Sequence, residues 1–247
     1  MDTLFQGKID WLPISAMQIE TSDHKMVTLQ IPILNHRWPL FHDNREEALE
    51  IARSLTIEQI QAILLYAYSD LPSKRSLAPI FHLCQLSYPQ SLQESTFIDD
   101  MRNLMHDADS ADFSLLSDIP VSCIPVHRAV LAARSRYFRS LFITKSSEYY
   151  SGVWKCFRPL TLSTVQFFVE YLYTGQISSP NTLSIIPLCF LVKYLRLSGE
   201  KEIENIVISA LSRDLNETTV EAIQNCAKEW DAKCVIDVVE KYTATRK

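Results

Sequence analysis

Cysteine and histidine are the residue types in this sequence that could bind a metal or act as nucleophiles, and their spacing is unfavourable for both. Six cysteines occur singly among apolar neighbours, at Cys84, Cys123, Cys156, Cys189, Cys226 and Cys234. Zinc sites are commonly built from C-x-x-C pairs, and the sequence contains none. It therefore predicts no metal site and favours small buried thiols in a reducing compartment.

His127 is the strongest catalytic candidate, but no serine or cysteine nucleophile is implied near it, so we favour a structural role. The four glycines of the 247-residue chain lie far apart. Nucleotide-binding loops and nucleophile elbows need clustered glycines, because the backbone must approach a ligand or adopt positive φ. We therefore expect a protein that is not an enzyme and binds no cofactor.

The charge balance argues against two classes of partner. The net charge of −5 is unfavourable for a nucleic-acid-binding surface and for a polybasic membrane anchor. The N-terminus, with Asp2, lacks the apolar segment of a signal peptide, and the longest uncharged apolar stretch, 185–192, is too short to span a bilayer. We expect a soluble protein in the cytoplasm, the nucleus or both, without nucleic-acid or membrane partners.

An internal repeat organises the chain into two copies of about 85–90 residues. At a shift of 97 residues, Ile33, Leu34, Arg37 and Phe41 fall on Val130, Leu131, Arg134 and Phe138. At a shift of 105 residues, the segment 55–69 falls on 160–174, with Tyr66 and Tyr68 on Tyr171 and Tyr173. At the same shift, Leu83 and Cys84 fall on Leu188 and Cys189.

The second copy changes from an alternating to a helical period. Residues 112–124 alternate and are interrupted at 118–120, which predicts a β-hairpin. From His127 the apolar spacing of three and four predicts one core-facing helix that runs past Tyr137 to Leu141. A short strand is expected at 153–157. A second helix follows, with Ser163 or Thr164 as its N-cap and Gly175 at its C-terminal end.

The first copy shows a similar pattern with two differences. Pro39 must end its first helix near Trp38, and eight residues are missing from the connection before the second helix. Thr56 and Gln59 predict a capping box at the start of that second helix, and Asp70 stands where Gly175 ends it in the second copy. Three more helices are expected after Gly199, and Trp38, Trp154 and Trp230 are predicted to be core residues.

The second copy resembles the BTB/POZ family over about residues 111–200. The resemblance is carried by Asp112-Phe-Ser-Leu, by Ile124-Pro-Val-His127-Arg128 with Leu131, by Arg134-Ser135 with Tyr137 and Phe138, by Leu172-Tyr-Thr-Gly175, and by Lys193-Tyr194-Leu195. It implies an α+β fold of two BTB/POZ units, the first degenerate, followed by an all-α segment that resembles the BACK segment. The implied ranges are 1–91, an acidic linker at 92–110, 111–200 and 201–247.

The resemblance implies docking functions. BTB domains are dimerisation and docking modules, and many bridge a client to a cullin-3 ubiquitin ligase. We therefore expect a protein-interaction adaptor whose partners are a cullin-3-type scaffold and an unidentified client. The alternative is an oligomerisation scaffold or transcription-associated recruiter without a ligase role. The two copies would pair within one chain as a pseudo-dimer, or the chain would form a homodimer.

Partner-contact residues are implied at five positions, Asp112, Arg128, Glu148, Tyr149 and Tyr194. Asp112 and Arg128 match a charged pair at the dimer-face groove of BTB transcription factors, although a structural ion pair is the alternative. Tyr194 matches a cullin-contact position, with a core role as its alternative. Cullin-binding relatives often carry a hydrophobic-x-Glu motif, but Ser146 stands two residues before Glu148, and this departure favours the scaffold alternative.

Overall fold

Each half of the chain begins with a β-hairpin and continues with helices, so the α+β class expected from the sequence is confirmed. The computed structural model describes residues 16–69, 77–86 and 96–244. These residues divide into a first unit, which ends at Asp112, and a second unit, which begins at Phe113.

The first unit pairs two antiparallel strands and surrounds them with helices. Its described elements are β1 (Ala16–Glu20), β2 (Met26–Gln30), α1 (Ile31–Arg37), α2 (Pro39–Asp43), α3 (Arg45–Ser54), α4 (Ile57–Ser69), α5 (Ala78–Leu83) and α6 (Phe97–His106). As predicted, α1 ends before Trp38 and Pro39 begins the next helix. The helix α6 occupies the predicted linker and packs against α1.

The second unit contains a three-stranded sheet with the order β4-β3-β5. Its elements are β3 (Phe113–Asp118), β4 (Val121–Val126), α7 (Arg128–Arg134), α8 (Arg136–Ile143), α9 (Ser147–Ser151), β5 (Val153–Lys155), α10 (Leu162–Thr174), α11 (Thr182–Tyr194), α12 (Glu200–Asp214), α13 (Val220–Glu229) and α14 (Lys233–Ala244). The predicted hairpin is confirmed as the antiparallel pair β3–β4, and β5 adds to β3 in parallel.

Two helix predictions in the second unit need correction. The single helix predicted from His127 to Leu141 is two helices, because Ser135 has an extended backbone and its side chain caps α8 by accepting a hydrogen bond from the Phe138 N–H. The cap of α10 is Thr161, whose hydroxyl accepts from the N–H of Thr164. The predicted caps, Ser163 and Thr164, lie inside the helix.

Other predicted signals for the start or end of a helix are confirmed in both units. The backbone N–H of Thr56 donates to the Gln59 side chain, and the N–H of Gln59 donates to the Thr56 hydroxyl, which is the predicted capping box. Gly175 ends α10 at φ 72°, a left-handed conformation that favours glycine. Asp70, its counterpart in the repeat, lies outside the described residues.

The two units contain the same buried hydrogen bond between a hairpin and the long helix that follows it. In the first unit, the backbone N–H of Gln30 donates to the phenol oxygen of Tyr68 at 3.0 Å. In the second unit, the N–H of His127 donates to the phenol oxygen of Tyr173 at 2.9 Å. These are the pairs that the sequence shifts of 97 and 105 residues bring together.

An arginine contact is also present in both units. Arg37, at the end of α1, donates to the Ala67 carbonyl and lies 5.1 Å from the centre of the Tyr66 ring. Arg134, at the end of α7, donates to the Tyr171 carbonyl and lies 5.6 Å from the centre of that ring. Each arginine thus joins the first short helix of its unit to the long helix.

The ends of α5 and α11 have the same backbone geometry. Gln85 and Arg196 both have positive φ. The next residues, Leu86 and Leu197, each donate their backbone N–H to a carbonyl five residues earlier. The same two features end α8, at Lys145 and Ser146, and α13, at Asp231 and Ala232, so this helix end is a common motif and the match of Cys84 with Cys189 stays a prediction.

Gly199 is the N-cap of α12 and has φ 101°. Its carbonyl accepts a hydrogen bond from the Tyr171 phenol, and a Cβ at this position would collide with that phenol oxygen. The helices α12, α13 and α14 then pack on one another and on α11, as the pattern after Gly199 predicts. Trp38, Trp154 and Trp230 are buried, which confirms their predicted core positions.

The cysteines are less uniform than the sequence indicates. Cys84, Cys156 and Cys189 are buried, whereas Cys226 and Cys234 are half-buried. Cys123 is exposed because it lies on the outward face of β4, at the side of the sheet where no described strand pairs with it. No helix in the described part of the chain is sufficiently long and apolar to cross a membrane.

Candidate functional site

Four aromatic residues form a partly exposed cluster in the second unit, and we call them the aromatic surface. They are Tyr137, Phe157, Phe190 and Tyr194. The Tyr194 ring is stacked on Phe190, with 5.5 Å between centroids and 12° between planes, and it meets Phe157 edge-on at 5.2 Å. Phe157 is 64% exposed and Tyr194 is 37% exposed, so these rings offer apolar area to a partner.

Three elements bring these rings together. Tyr137 lies in the first turn of α8, Phe190 and Tyr194 lie four residues apart on α11, and Phe157 follows β5. Side chains four residues apart on a helix share a face, which explains the stack of Phe190 on Tyr194. The Tyr137 ring centroid is 5.6 Å from that of Tyr194.

Arg158 adds a cation beside these rings. Its guanidinium lies 4.6 Å from the Phe190 centroid and 5.6 Å from those of Phe157 and Trp230. One guanidinium nitrogen donates to the Glu229 carbonyl at 2.9 Å, which fixes the side chain over the rings. This arrangement joins the aromatic surface to α13 through contacts within the second unit.

Glu148 supplies a carboxylate near the same surface. Burial is the main cause of the raised pKa of Tyr194, and the Tyr137 phenol and the Glu148 carboxylate raise it further. The Glu148 carboxylate has a lowered pKa, because its own backbone N–H and the nearby hydroxyls of Ser146 and Ser147 stabilise the charged form, and the Ser147 hydroxyl donates to it at 3.0 Å. Of the five predicted contact residues, Glu148 therefore acts on Tyr194 through its charge.

Arg128 and Tyr149 form a separate, more buried contact. Arg128 begins α7, and its guanidinium donates to the Tyr149 carbonyl at 2.9 Å. The same group lies 4.4 Å from the Tyr149 ring centroid and also faces the rings of Phe113 and Phe142. Arg128 thus anchors α9 to α7 inside the second unit. Because Asp112 is the last residue of the first unit, its pairing with Arg128 stays a prediction.

His127 has a structural environment. It is buried at the N-cap of α7, and one of its ring nitrogens lies 2.7 Å from the Tyr173 phenol oxygen. A histidine enclosed in this way cannot reach a substrate in solvent. Across the described ranges, no cluster of three or more histidine, cysteine or acidic side chains is arranged to hold a metal ion.

Sequence reasoning identified Tyr194 but not Phe157, Phe190 or Arg158. Phe157 is the last residue of the predicted strand and precedes an arginine, and this is a weak signal because single exposed aromatics are common. Phe190 lies in a continuous apolar run, where periodicity does not distinguish an exposed face from a buried one. Trp230 was expected only in the core, yet its ring also contacts Phe190 and Arg158.

Part of the chain is similar to a known domain family. Residues 101–211 match the family model of the BTB/POZ domain. Human BTB/POZ domain-containing protein 7 is 33% identical over 93 residues, which are 35% of this chain and 8% of that protein. The chain thus matches only a small part of that relative.

Two solved structures are also similar in part. The BTB domain of zebrafish PATZ1 has a TM-score of 0.37 and 20% identity, covering 52% of this chain and 100% of that one. The BTB domain of human gigaxonin has a TM-score of 0.36 and 16% identity, covering 50% of this chain and 95% of that one. The family match supports a single BTB/POZ domain over residues 101–211, which is a protein-interaction domain and typically not an enzyme.

Proposed function

We propose that this chain is an adaptor that bridges a client protein to a cullin-3-type RING ubiquitin ligase through its BTB/POZ domain. The observation that carries the proposal is the aromatic surface around Tyr194, with Arg158 and the Glu148 carboxylate nearby. Tyrosine and arginine are over-represented among the residues that dominate binding energy, because they bring large contact area and polar groups together.

The relation between exposure and packing supports a docking role for this surface. Tyr194 is held between Phe190, Phe157 and Tyr137, so it loses little side-chain entropy when a partner covers it. The neighbouring helix end also exposes Ile143 at 50%. An apolar centre with charged groups beside it is the usual composition of a protein–protein interface.

One feature favours the alternative, a BTB scaffold or recruiter without a ligase role. Ser146, which occupies the hydrophobic position of the expected motif, is a half-buried residue between α8 and α9. A serine there contributes no apolar contact to a cullin-type partner. The exposed Ile143 lies three residues earlier and would have to supply that contact instead.

We also propose that the first unit is a second, degenerate BTB-like unit. Two repeated features support this: the Gln30–Tyr68 and His127–Tyr173 hydrogen bonds, and the contacts that Arg37 and Arg134 make with the long helices. Convergence is a poor explanation for buried polar contacts that recur at aligned positions, because each needs a specific donor and acceptor.

The helices α12–α14 support the proposed BACK-like segment. They pack mainly on one another and on α11, which makes them a continuation of the domain rather than a free tail. In this proposal, clients bind the first unit or these closing helices, while the aromatic surface binds the ligase scaffold. The oligomeric state, homodimer or internal pseudo-dimer, belongs to the same proposal.

The test is binding of the full chain to the N-terminal region of a cullin-3 protein. Co-elution in size-exclusion chromatography and a Kd from calorimetry are expected for the native chain. Tyr194→Ala should weaken binding by about 30-fold, which is the loss expected when a tyrosine at the centre of an interface is truncated. Leu183→Ala is the matched control, because Leu183 is an exposed apolar residue at the other end of the same helix.

The outcomes distinguish a ligase adaptor from a scaffold or recruiter without a ligase role. Absence of a complex at micromolar concentration would reject the ligase proposal. Co-purification of corepressor subunits without ligase subunits would favour the recruiter. Loss of binding in both Tyr194→Ala and Leu183→Ala would place the contact elsewhere on α11 and would contradict the role of the aromatic surface.

A further inference from the structure

Two thiols from separate helices are in contact in the second unit. Cys189 lies on α11 and Cys234 on α14, and their sulfur atoms are 3.8 Å apart. The residues are 45 positions apart in sequence, so their proximity is a product of the fold. A disulfide needs the two sulfurs about 1.8 Å closer, a shift that two side chains can share by small rotations.

The environments of the two thiols are different. Cys189 is buried, whereas Cys234 is half-buried and so is within reach of small molecules from solvent. The two sulfurs share a hydrogen bond in which either thiol can be the donor, and this bond is the main cause of the lowered pKa of Cys234 and the raised pKa of Cys189. Because Cys234 is the more accessible of the two, an oxidant from solvent reaches its sulfur first.

We propose that Cys189 and Cys234 are a reversible redox site that a peroxide converts to a disulfide joining α11 to α14. The Cys234 thiolate attacks one peroxide oxygen, the O–O bond breaks, and the departing hydroxide takes a proton to become water. Cys189 then attacks the resulting sulfenic sulfur, the S–S bond forms, and a second water leaves. Two thiols are oxidised and one hydrogen peroxide is reduced to two waters. A small dithiol reverses the reaction.

The bond would act on the closing helices. It encloses α12 and α13 in a loop whose ends are otherwise free to separate when the protein unfolds. Closing a loop of this length reduces the freedom of the unfolded chain, so oxidation should stabilise the second unit against heat. This inference is independent of the proposed ligase role, because it concerns the chemistry of the chain alone.

The experiment uses the full chain, first reduced and then treated with a small excess of hydrogen peroxide. Non-reducing digestion with chymotrypsin, which separates Cys189 from Cys156, should give a cross-linked pair of peptides containing Cys189 and Cys234. The melting temperature of the oxidised chain should rise by about 5 °C and return with dithiothreitol. Cys234→Ser should abolish the cross-link and the rise.

Cys226→Ser is the matched control, because Cys226 is another half-buried thiol in the closing helices and should leave both results unchanged. The proposal is overturned if Cys189 and Cys234 stay separately alkylatable when the exposed Cys123 has already been oxidised. It is equally overturned if Cys234→Ser shows the same temperature rise, because that stabilisation would come from another thiol.

Discussion

The two units keep the same internal contacts but present different surfaces. Tyr68 and Tyr173 each accept a hydrogen bond from the residue that joins hairpin to helix, and Arg37 and Arg134 each reach the following long helix. The aromatic surface around Tyr194, however, includes Phe157, which follows β5, and this strand has no counterpart among the described residues of the first unit. Interior contacts that hold a fold are therefore retained in both units, whereas the aromatic surface belongs to the second.

The connecting segments differ as well. Between its short helices and its long helix, the first unit has the ten-residue α3, whereas the second has α9 and β5. In the described residues, the strand that widens the second sheet therefore has no counterpart in the first unit. Phe157 and Arg158 follow β5 in the chain. The shorter connection in the first unit contains no such strand among its described residues, which explains why that unit has no counterpart of these two residues.

The largest expected effect is on stability, and it differs between Arg37 and Arg134. Arg37 has a side chain that is 1% exposed and an ion pair with Asp100 at 2.6 Å, so Arg37→Ala leaves buried acceptors without their donor. We expect the free energy of unfolding of the first unit to fall by about 3–5 kcal/mol. Arg134→Ala should cost the second unit less, about 1–2 kcal/mol, because Arg134 is half-buried.

Urea unfolding followed by hydrogen exchange measures these losses in each unit. Arg53→Ala provides the baseline, because Arg53 is exposed on α3 and should change stability by less than about 0.5 kcal/mol. If Arg37→Ala lowers the free energy of unfolding by no more than Arg134→Ala does, the expected difference between the two units is wrong. Burial of the arginine would then not determine the size of the loss.

The next effect concerns the shared tyrosine hydroxyls. Tyr68→Phe and Tyr173→Phe each remove the acceptor of a buried backbone N–H, and each should destabilise its own unit by about 1–3 kcal/mol. Tyr150→Phe, at an exposed position, should have no measurable effect. Hydrogen exchange at Gln30 and His127 reports the two sites directly. An unchanged exchange rate at Gln30 in Tyr68→Phe would show that the first unit does not use the repeated contact.

The smallest effect is a pH dependence in which the two units again correspond. The Asp23 carboxylate accepts hydrogen bonds from the Thr21 hydroxyl and the Ile57 N–H, which lower its pKa to about 2. Asp118 has a lowered pKa because Lys155 and the Leu160 N–H contact its carboxylate. Both carboxylates tie a hairpin to the start of a long helix.

The sign of this dependence follows from the lowered values. A carboxyl group whose pKa is lower in the folded state stabilises that state above its unfolded pKa, near 4, and loses this contribution as the pH falls toward the folded value. Stability of both units should therefore decrease between pH 4 and pH 2. Asp23→Asn and Asp118→Asn should each flatten this part of the pH profile in their own unit, measured as the urea midpoint. A profile unchanged in both variants would assign the dependence to other carboxyl groups.

Local signals in the sequence predicted much of this fold. The capping box at Thr56, the helix stop before Pro39 and the glycine at 175 depend on short-range chemistry, and all three were readable. The break at Ser135 was missed although serine is a favoured N-cap, because the apolar period runs through it. The cap of α10 was predicted at Ser163 or Thr164 instead of Thr161, because three hydroxyl residues lie within positions 161–164.

The site was less readable because its parts come together only through tertiary packing. Tyr194 was identified by resemblance to a family, whereas Phe157 and Arg158 reach it from the end of a three-residue strand. The contact between Cys189 and Cys234 joins α11 to α14, which are separated in the chain by two other helices. Neither arrangement has a periodic signature, since both depend on how α11 meets its neighbours.

Gly199 has a consequence for how this protein tolerates mutation. Any side chain there must overcome both a left-handed backbone and a collision with Tyr171, although the residue itself binds nothing. In a screen that replaces Gly199 with every other amino acid and selects for folded protein, every replacement should therefore be depleted. Such intolerance is usually seen at catalytic residues. Tyr171→Phe, which removes the obstructing oxygen, should restore alanine there in part and identify the depletion as steric.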